Sequence, residues 1–207
     1  MRTGYYARVP AAATGPRAEA SERVREAITA ATVRIVAREG VGAVTHRRVA
    51  AEAGVSLSST TWHFATKGDI LVAALRSTGR REVVRLTAIA ERLGAADFDA
   101  EAWAEELADW VVEQVVADRE QTIALYRLQM ESLGRPEAQE VHREWGTNLQ
   151  ALGEGVLASS ASSTPELDTR LVVAALDGLR LGVLSADEQS HEWLRPAVVR
   201  LLSSLLH

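Results

Sequence analysis

The sequence has no cysteine, which excludes disulfides, thiolate metal sites and a cysteine nucleophile and agrees with a reducing compartment. It has one lysine, Lys67, among its 23 basic residues. No apolar run approaches the roughly 18 residues that a membrane span needs. The N-terminus lacks the continuous apolar segment and small-residue cleavage site of a signal peptide, so a cytoplasmic protein without a membrane partner is expected. HExxH, GxSxG, phosphate-loop and dinucleotide patterns are missing too, and neither an enzyme active site, a metal nor a cofactor is expected. Period-two alternation and internal repeats are also absent.

What is present is an ordinary globular balance: 207 residues, 47% apolar and 25% charged, room for a mid-sized domain or a small one beside a larger one. Charge is unevenly placed. Residues 1–85 carry 14 basic side chains against seven acidic, and residues 86–207 carry nine against 21, so a net charge of −5 conceals a basic half and an acidic half. Such a split lets one end approach a polyanion while the other is repelled, although accidental unevenness gives the same count.

The hydrophobic period is helical throughout and predicts an all-α chain of about nine helices. Residues 1–20, with Pro10, Pro16, Gly4 and Gly15, read as a flexible arm. Val24, Ile28, Ala31, Ile35 and Val36 mark a helix from Ser21 to Glu39 that ends at Gly40. Thr45 then opens a short helix that stops at Gly54, Ser56 caps another reaching Phe64, and Thr66 with Asp69 has the spacing of a capping box. The fourth helix loosens at Gly79 and ends at Gly94. Further starts are expected at Asp99, at Asp118 with Gln121, at Pro136, at Thr164 with Pro165, and near Trp193. These divide the chain into an arm (1–20), a helix-turn-helix domain (21–66) and a larger helical domain (67–207).

The stretch Thr45 to Leu71 is the informative one. Two short helices meeting at a steep angle around Gly54 leave the second one's outer face to solvent, a shape that fits a DNA major groove. Val49, Ala50, Val55, Phe64, Ile70 and Leu71 form the apolar set that fixes the angle; small hydroxyls, an indole and cations remain outside.

Residues 21–75 resemble the DNA-binding region of the TetR family of transcriptional regulators, on T-H-R-R-V-A in the second helix, A-G-V-S at the turn, W-H-F closing the third and T-K-G-D-I-L opening the fourth. Ser58 stands where the family often has Gly or Pro, Thr60 where an aliphatic is usual and Thr61 where Tyr is common. The resemblance implies that Arg47 reaches a base edge or phosphate, its planar fork suiting the two acceptors of guanine. It further implies that Leu57, Ser58, Ser59, Thr61 and Trp62 face the groove, and that Thr45, His46, His63 and Lys67 hold the DNA backbone in register. From the residues alone, His63 also suits a half-buried ring bonded to a carbonyl, Trp62 suits packing beneath the first helix, and Arg48 reads as a solvated charge.

In the second half, Trp103 and Trp110 are seven residues apart and Tyr126 and Met130 four apart, so each pair shares a helix face, with Trp145 following. Such a stripe reads first as core; the family's effector-binding C-terminal region implies a pocket for a small molecule within residues 98–150, and these five residues are its expected apolar lining. His142, Gln129, Glu131 and Arg127 are candidate polar anchors. The last two helices are apolar on more than one face and call for a second burial partner. Leu171, Ala175, Leu179, Gly182, Val198, Leu202 and Leu205 are expected to pair with their copies as a four-helix bundle in a homodimer, as the family also implies. The reading is a ligand-responsive regulator that binds double-stranded DNA, most simply a repressor on a pseudo-palindromic operator released by a partly apolar small molecule. The alternatives are an architectural DNA-binding protein without an effector and a helical enzyme.

Overall fold

The computed structural model describes residues 15–94, 99–158, 160, 162–186 and 191–205; the first 14 residues of the expected arm lie outside them. Among the described residues there are nine α-helices and no strand. Helix α1 (Pro16–Glu39) begins five residues ahead of the sequence expectation, because Pro16 supplies an N-terminal start that needs no N–H. A single 3₁₀ turn, Val41–Ala43, leads to α2 (His46–Ala53), capped by Thr45. Gly54 closes α2 at φ +67°, a left-handed conformation that a side chain resists, and so turns the chain into α3 (Leu57–His63). Helix α4 (Lys67–Leu93) opens with the full capping box: Thr66 accepts from the Asp69 amide at 3.1 Å and Asp69 accepts from the Thr66 amide at 2.8 Å.

The rest are α5 (Ala100–Val116), α6 (Arg119–Ser132), α7 (Pro136–Leu157), α8 (Pro165–Ser185) and α9 (Leu194–Leu205). Asp99 caps α5 as expected. Asp118 and Thr164 do not cap α6 and α8: the Asp118 carboxylate pairs with Arg81 at 3.6 Å, and the Thr164 hydroxyl turns to Asp168.

Two apolar cores result. One joins α1, α2, the start of α4, α6 and α7 around Ile28, Ile35, Val49, Phe64, Ile70, Leu75, Leu128 and Trp145. The other joins the end of α4 to α5, α8 and α9 around Ile89, Trp103, Trp110, Leu176, Leu194, Val198 and Leu202. Helix α4 serves both and runs unbroken through Gly79, which corrects the expected loosening. There the missing side chain admits the Trp145 indole, so close that a Cβ on Gly79 would lie 3.0 Å from its ring.

The head formed by α1–α3 is fastened to α6 by polar bonds as well as by the first core. Arg127 donates to the Val36 and Ala37 carbonyls at 2.7 and 2.8 Å, bringing a positive charge to the C-terminal turn of α1, where Val36 also accepts from the Gly40 amide at 3.1 Å. Arg38 pairs beside it with Glu120 at 3.1 Å.

Two expectations follow. Arg127→Ala should destabilise the protein by about 1–3 kcal/mol, the cost of leaving a helix end without its charged donor, measured by urea unfolding at fixed protein concentration. Gly153 of α7 faces Thr169 of α8, and a Cβ there would fall inside the Thr169 side chain, 2.9 Å from its hydroxyl. Helix propensity alone would make Gly153→Ala stabilising by up to about 1 kcal/mol. The overlap should reverse the sign to a loss of about 1–3 kcal/mol, and Thr169→Ala in the same chain should recover much of it. A stabilised single variant would show that α7 and α8 are not pressed together at this point.

Candidate DNA interface and effector cavity

Helix α3 is fixed from below and bare above. Thr60, where the family pattern has an aliphatic, is fully buried and spends its hydroxyl on the Ser56 carbonyl at 3.2 Å. His46 bonds the Phe64 carbonyl at 2.9 Å through Nε2, so its ring ties the start of α2 to the end of α3. Ser56 caps α3 by accepting from the Ser59 amide at 3.0 Å, and its hydroxyl lies 2.8 and 2.7 Å from those of Ser58 and Ser59. Thr61 turns its hydroxyl to the Leu57 and Ser58 carbonyls, at 3.2 and 3.1 Å.

Outside this frame stand Leu57, Ser58, Thr61 and Trp62. Trp62 is 74% exposed, so it does not pack beneath α1. Its indole meets the His63 ring edge-on at 4.6 Å. His63 is half-buried, and no carbonyl bond to it occurs among the described residues. Burial, with Arg25 nearby, lowers its pKa below the ordinary imidazole value against the opposing pull of Glu22. At neutral pH it is therefore a neutral ring that can donate one N–H.

Cations around α3 divide into the engaged and the free. Arg48 is held by Glu39 at 2.6 Å and Glu52 at 3.2 Å, and Glu52 also takes Arg34 at 3.0 Å. Arg47 is exposed and has no ion pair or hydrogen-bond partner among the described residues. Lys67 reaches the Gly42 carbonyl at 3.4 Å from the first turn of α4. Thr45, Arg47, Leu57, Ser58, Thr61 and Trp62 are thus exposed, and His46, Ser59, His63 and Lys67 are half-buried.

A second feature lies in the lower core. A cavity of about 110 Å³ is walled by α4, α5, α7, α8 and Leu202 of α9, almost wholly by aliphatic side chains with Trp103 and Trp110. Its polar end is Glu82 of α4 and Arg180 of α8, whose side chains are 3% and 5% exposed and bonded at 2.7 Å. Arg180 also donates to Gln114 and Asp177, and its guanidinium lies 5.2 Å from the Trp110 ring centre and 6.0 Å from that of Tyr126. Burial works against the Arg180 charge, but Glu82, Tyr126 and Asp177 outweigh it and raise the pKa above the ordinary guanidinium value. Burial likewise pushes the Tyr126 hydroxyl well above the usual phenol range, and it donates to Asp177 at 3.0 Å. Glu82 Oε2, Arg180 Nε and Thr169 Oγ1 are buried without a hydrogen-bond partner among the described residues.

Of the five aromatic and sulfur side chains expected to line a pocket, the structure brings two, Trp103 and Trp110, to the cavity. Tyr126 stands behind its polar end. Trp145 packs on Gly79 in the other core, and Met130 is 68% exposed on the far face of α6. The proposed polar anchors also lie elsewhere: Arg127 holds α1, Glu131 holds Arg135 at 2.9 Å, and His142 packs against Trp145. Sequence reasoning missed Glu82 and the cavity face of α8, namely Thr169, Val172, Val173, Leu176 and Arg180. The available signal was Arg180 itself, a lone arginine within LVVAALDGLRLGVL.

The dimer expectation divides in the same way. Val198 and Leu202 have no exposed area, because α9 packs on α5 inside the protomer, and they cannot face a second copy. Ala175, Leu179 and Leu205 are half-buried, while Leu171 and Gly182 are exposed. Leu167, Leu171, Ala174, Gly178 and Leu181 form an exposed apolar stripe on α8, at alternating spacings of four and three.

Similarity to known proteins agrees with this architecture. Residues 28–74 match the family model for bacterial regulatory proteins of the tetR family, and residues 98–206 match a tetracyclin repressor-like C-terminal domain. No curated protein sequence matches significantly. The multidrug binding protein EbrR complexed with ethidium is 34% identical, with 89% of this chain and 99% of that one covered at a TM-score of 0.69. EbrR has also been solved with proflavin and with malachite green. A TetR-family member from Streptomyces coelicolor A3 is 34% identical over 89% of this chain and 98% of that one, at a TM-score of 0.71. A Rhodococcus regulator with 22% identity over 88% of this chain and 95% of its own has the same fold, at a TM-score of 0.78. With its helix-turn-helix head, its helical body and relatives matched along most of their length, this chain belongs to the TetR family of transcriptional regulators.

Proposed function

We propose that this protein is a cytoplasmic repressor that grips a pseudo-palindromic operator as a homodimer and lets go when a small, partly apolar molecule enters its lower core. The observation that carries the DNA side is Trp62, a large indole left 74% exposed on a helix whose underside is tightly fixed. A monomeric domain gains nothing from such exposure, whereas a major groove offers thymine methyls to it and base edges to Arg47, Leu57, Ser58 and Thr61. Thr45, His46, Ser59, His63 and Lys67 border that surface, suited to phosphate contacts that set register without reading sequence. The α8 stripe with Gly178, and the exposed Gly182 one turn on, supports a dimer seam, which would set two α3 helices about 34 Å apart in successive grooves.

The effector side rests on the cavity of Trp103, Trp110 and the α7–α8 aliphatics, and on the ligand complexes of EbrR. Release requires that the effector bind the DNA-incompetent arrangement better than the competent one. Helix α4 carries Glu82 at the cavity and Lys67 beside the head, so displacement at one end is felt at the other.

Fluorescence anisotropy with DNA from upstream of the protein's own coding sequence tests the reading. Salt-sensitive, sequence-preferring binding is expected, and its absence overturns the proposal. Trp62→Ala should leave urea stability within about 0.5 kcal/mol, since the side chain is exposed, yet weaken operator binding by roughly tenfold or more. Lys67→Ala should weaken all sequences alike and lower the salt slope by about one.

Malachite green should release the operator from the wild-type protein. Release of equal extent from an unrelated repressor's operator would mean that the dye acts on DNA, and would count against an effector site.

A further inference from the structure

The cavity is too small for the ligands its family position suggests. At about 110 Å³ it falls well short of the roughly 300–1,000 Å³ of a site for a drug-sized molecule, so something must move before one enters. Most of its wall is aliphatic side chains, which offer a charged ligand no partner. Arg180 differs, since its guanidinium occupies an aromatic and acidic box: Glu82 at 2.7 Å, the Trp110 ring at 5.2 Å and the Tyr126 ring at 6.0 Å. Those partners would satisfy any flat cation, through charge on one side and ring faces on the other.

We propose that Arg180 is an internal stand-in for the effector's positive charge, and that the effector is a planar aromatic cation which takes its place against Glu82 and Trp110. This rests on the effector reading above and gives it a charge and a mechanism. Ligand charge decides the matter. A neutral ligand leaves the Glu82–Arg180 pair in place and has only the present small volume. An anion would draw Arg180 to itself and strand the buried Glu82, which is strongly unfavourable. A cation alone replaces what it removes. The displaced guanidinium has a destination, since Asp177, already bonded to it one turn away on α8, has a side chain 37% exposed.

The exchange has a structural consequence. Glu82 is on α4 and Arg180 on α8, so the native pair ties these helices together across the core. Once a ligand holds Glu82, that tie is cut and α4 is bound to the ligand instead. The DNA-bound and released states are thereby distinguished by which cation Glu82 holds.

Fluorescence titration with proflavin, a planar aromatic cation, and acridine, the same ring system uncharged at mildly alkaline pH, tests this. Arg180→Gln should bind proflavin roughly tenfold or more tightly than wild type, because no internal cation competes. The double variant Glu82→Gln, Arg180→Gln has a neutral pair and no orphaned charge, and it should lose the preference for proflavin over acridine.

Equal or weaker proflavin binding by folded Arg180→Gln overturns the exchange, as does an undiminished proflavin preference in the double variant. If Arg180→Gln fails to fold, the double variant decides alone. A wild-type protein that malachite green releases from its operator, but that fails these tests, retains its effector reading and loses only the exchange. A protein that never binds the operator loses the regulator reading, while the dye affinities still judge Arg180.

Discussion

One helix must satisfy two cores at once. Helix α4 is 27 residues long, roughly 40 Å at 1.5 Å per residue. Its first turns are buried against the DNA-binding head and its last turns against α5 and the cavity. Neither core can shift α4 without disturbing the other, because a close-packed interior transmits displacement rather than absorbing it. Its capping box fixes the start, Gly94 the end, and Trp145 on Gly79 pins the middle between them. The Glu82–Arg180 pair sits just beyond that pin, so a buried ion pair of the body lies on the same rod as the head. Removing one partner of such a pair is far more disruptive than replacing both.

What could be read in the sequence were the signals that act over a few residues. Thr45, Ser56, Thr66 with Asp69, and Asp99 each cap the helix they precede, since a side-chain oxygen three residues from an unpaired amide needs no tertiary help. Gly54 is equally local. Asp118 and Thr164 have the same residue types and cap nothing, because Arg81 from α4 and Asp168 from within α8 make rival claims on them. Gly79 shows the opposite limit: read along the chain it weakens a helix, whereas in space it is the slot for an indole 66 positions away, and no spacing rule reaches that far.

The same limit explains which site residues were misplaced. Periodicity says that a face is buried and is silent on what buries it. Val198 and Leu202 have the pattern of a bundle interface and are used against α5 of their own chain. Met130 shares a face with Tyr126 by spacing, but the α6 side chains splay, one towards Asp177 and the other into solvent. Glu82 was invisible because RREVVR reads as an exposed charged turn, and only the fold shows that this one glutamate is turned inward. In the head the expected outward residues Arg47, Leu57, Ser58, Thr61 and Trp62 are exposed, because they are those left over once a small core is complete.

That leftover character bears on how the head would read DNA. Ser56, Ser58 and Ser59 share hydroxyl bonds, and Thr61 bonds its own helix, so α3 would enter a groove with these donors already partnered. A hydroxyl with a lone pair free and a rotor that can turn gives modest base selectivity. Arg47 is unengaged and forked, and Trp62 presents a rigid apolar plane; both are poor at tolerating the wrong base edge. On the proposed reading, specificity would be concentrated in these two side chains on different helices, with the His46 bond to the Phe64 carbonyl tying those helices together. A tilt between α2 and α3 would separate an arginine from an indole before it broke any phosphate contact. Discrimination between operators would fail ahead of affinity, an ordering suited to the proposed coupling of head and cavity through α4.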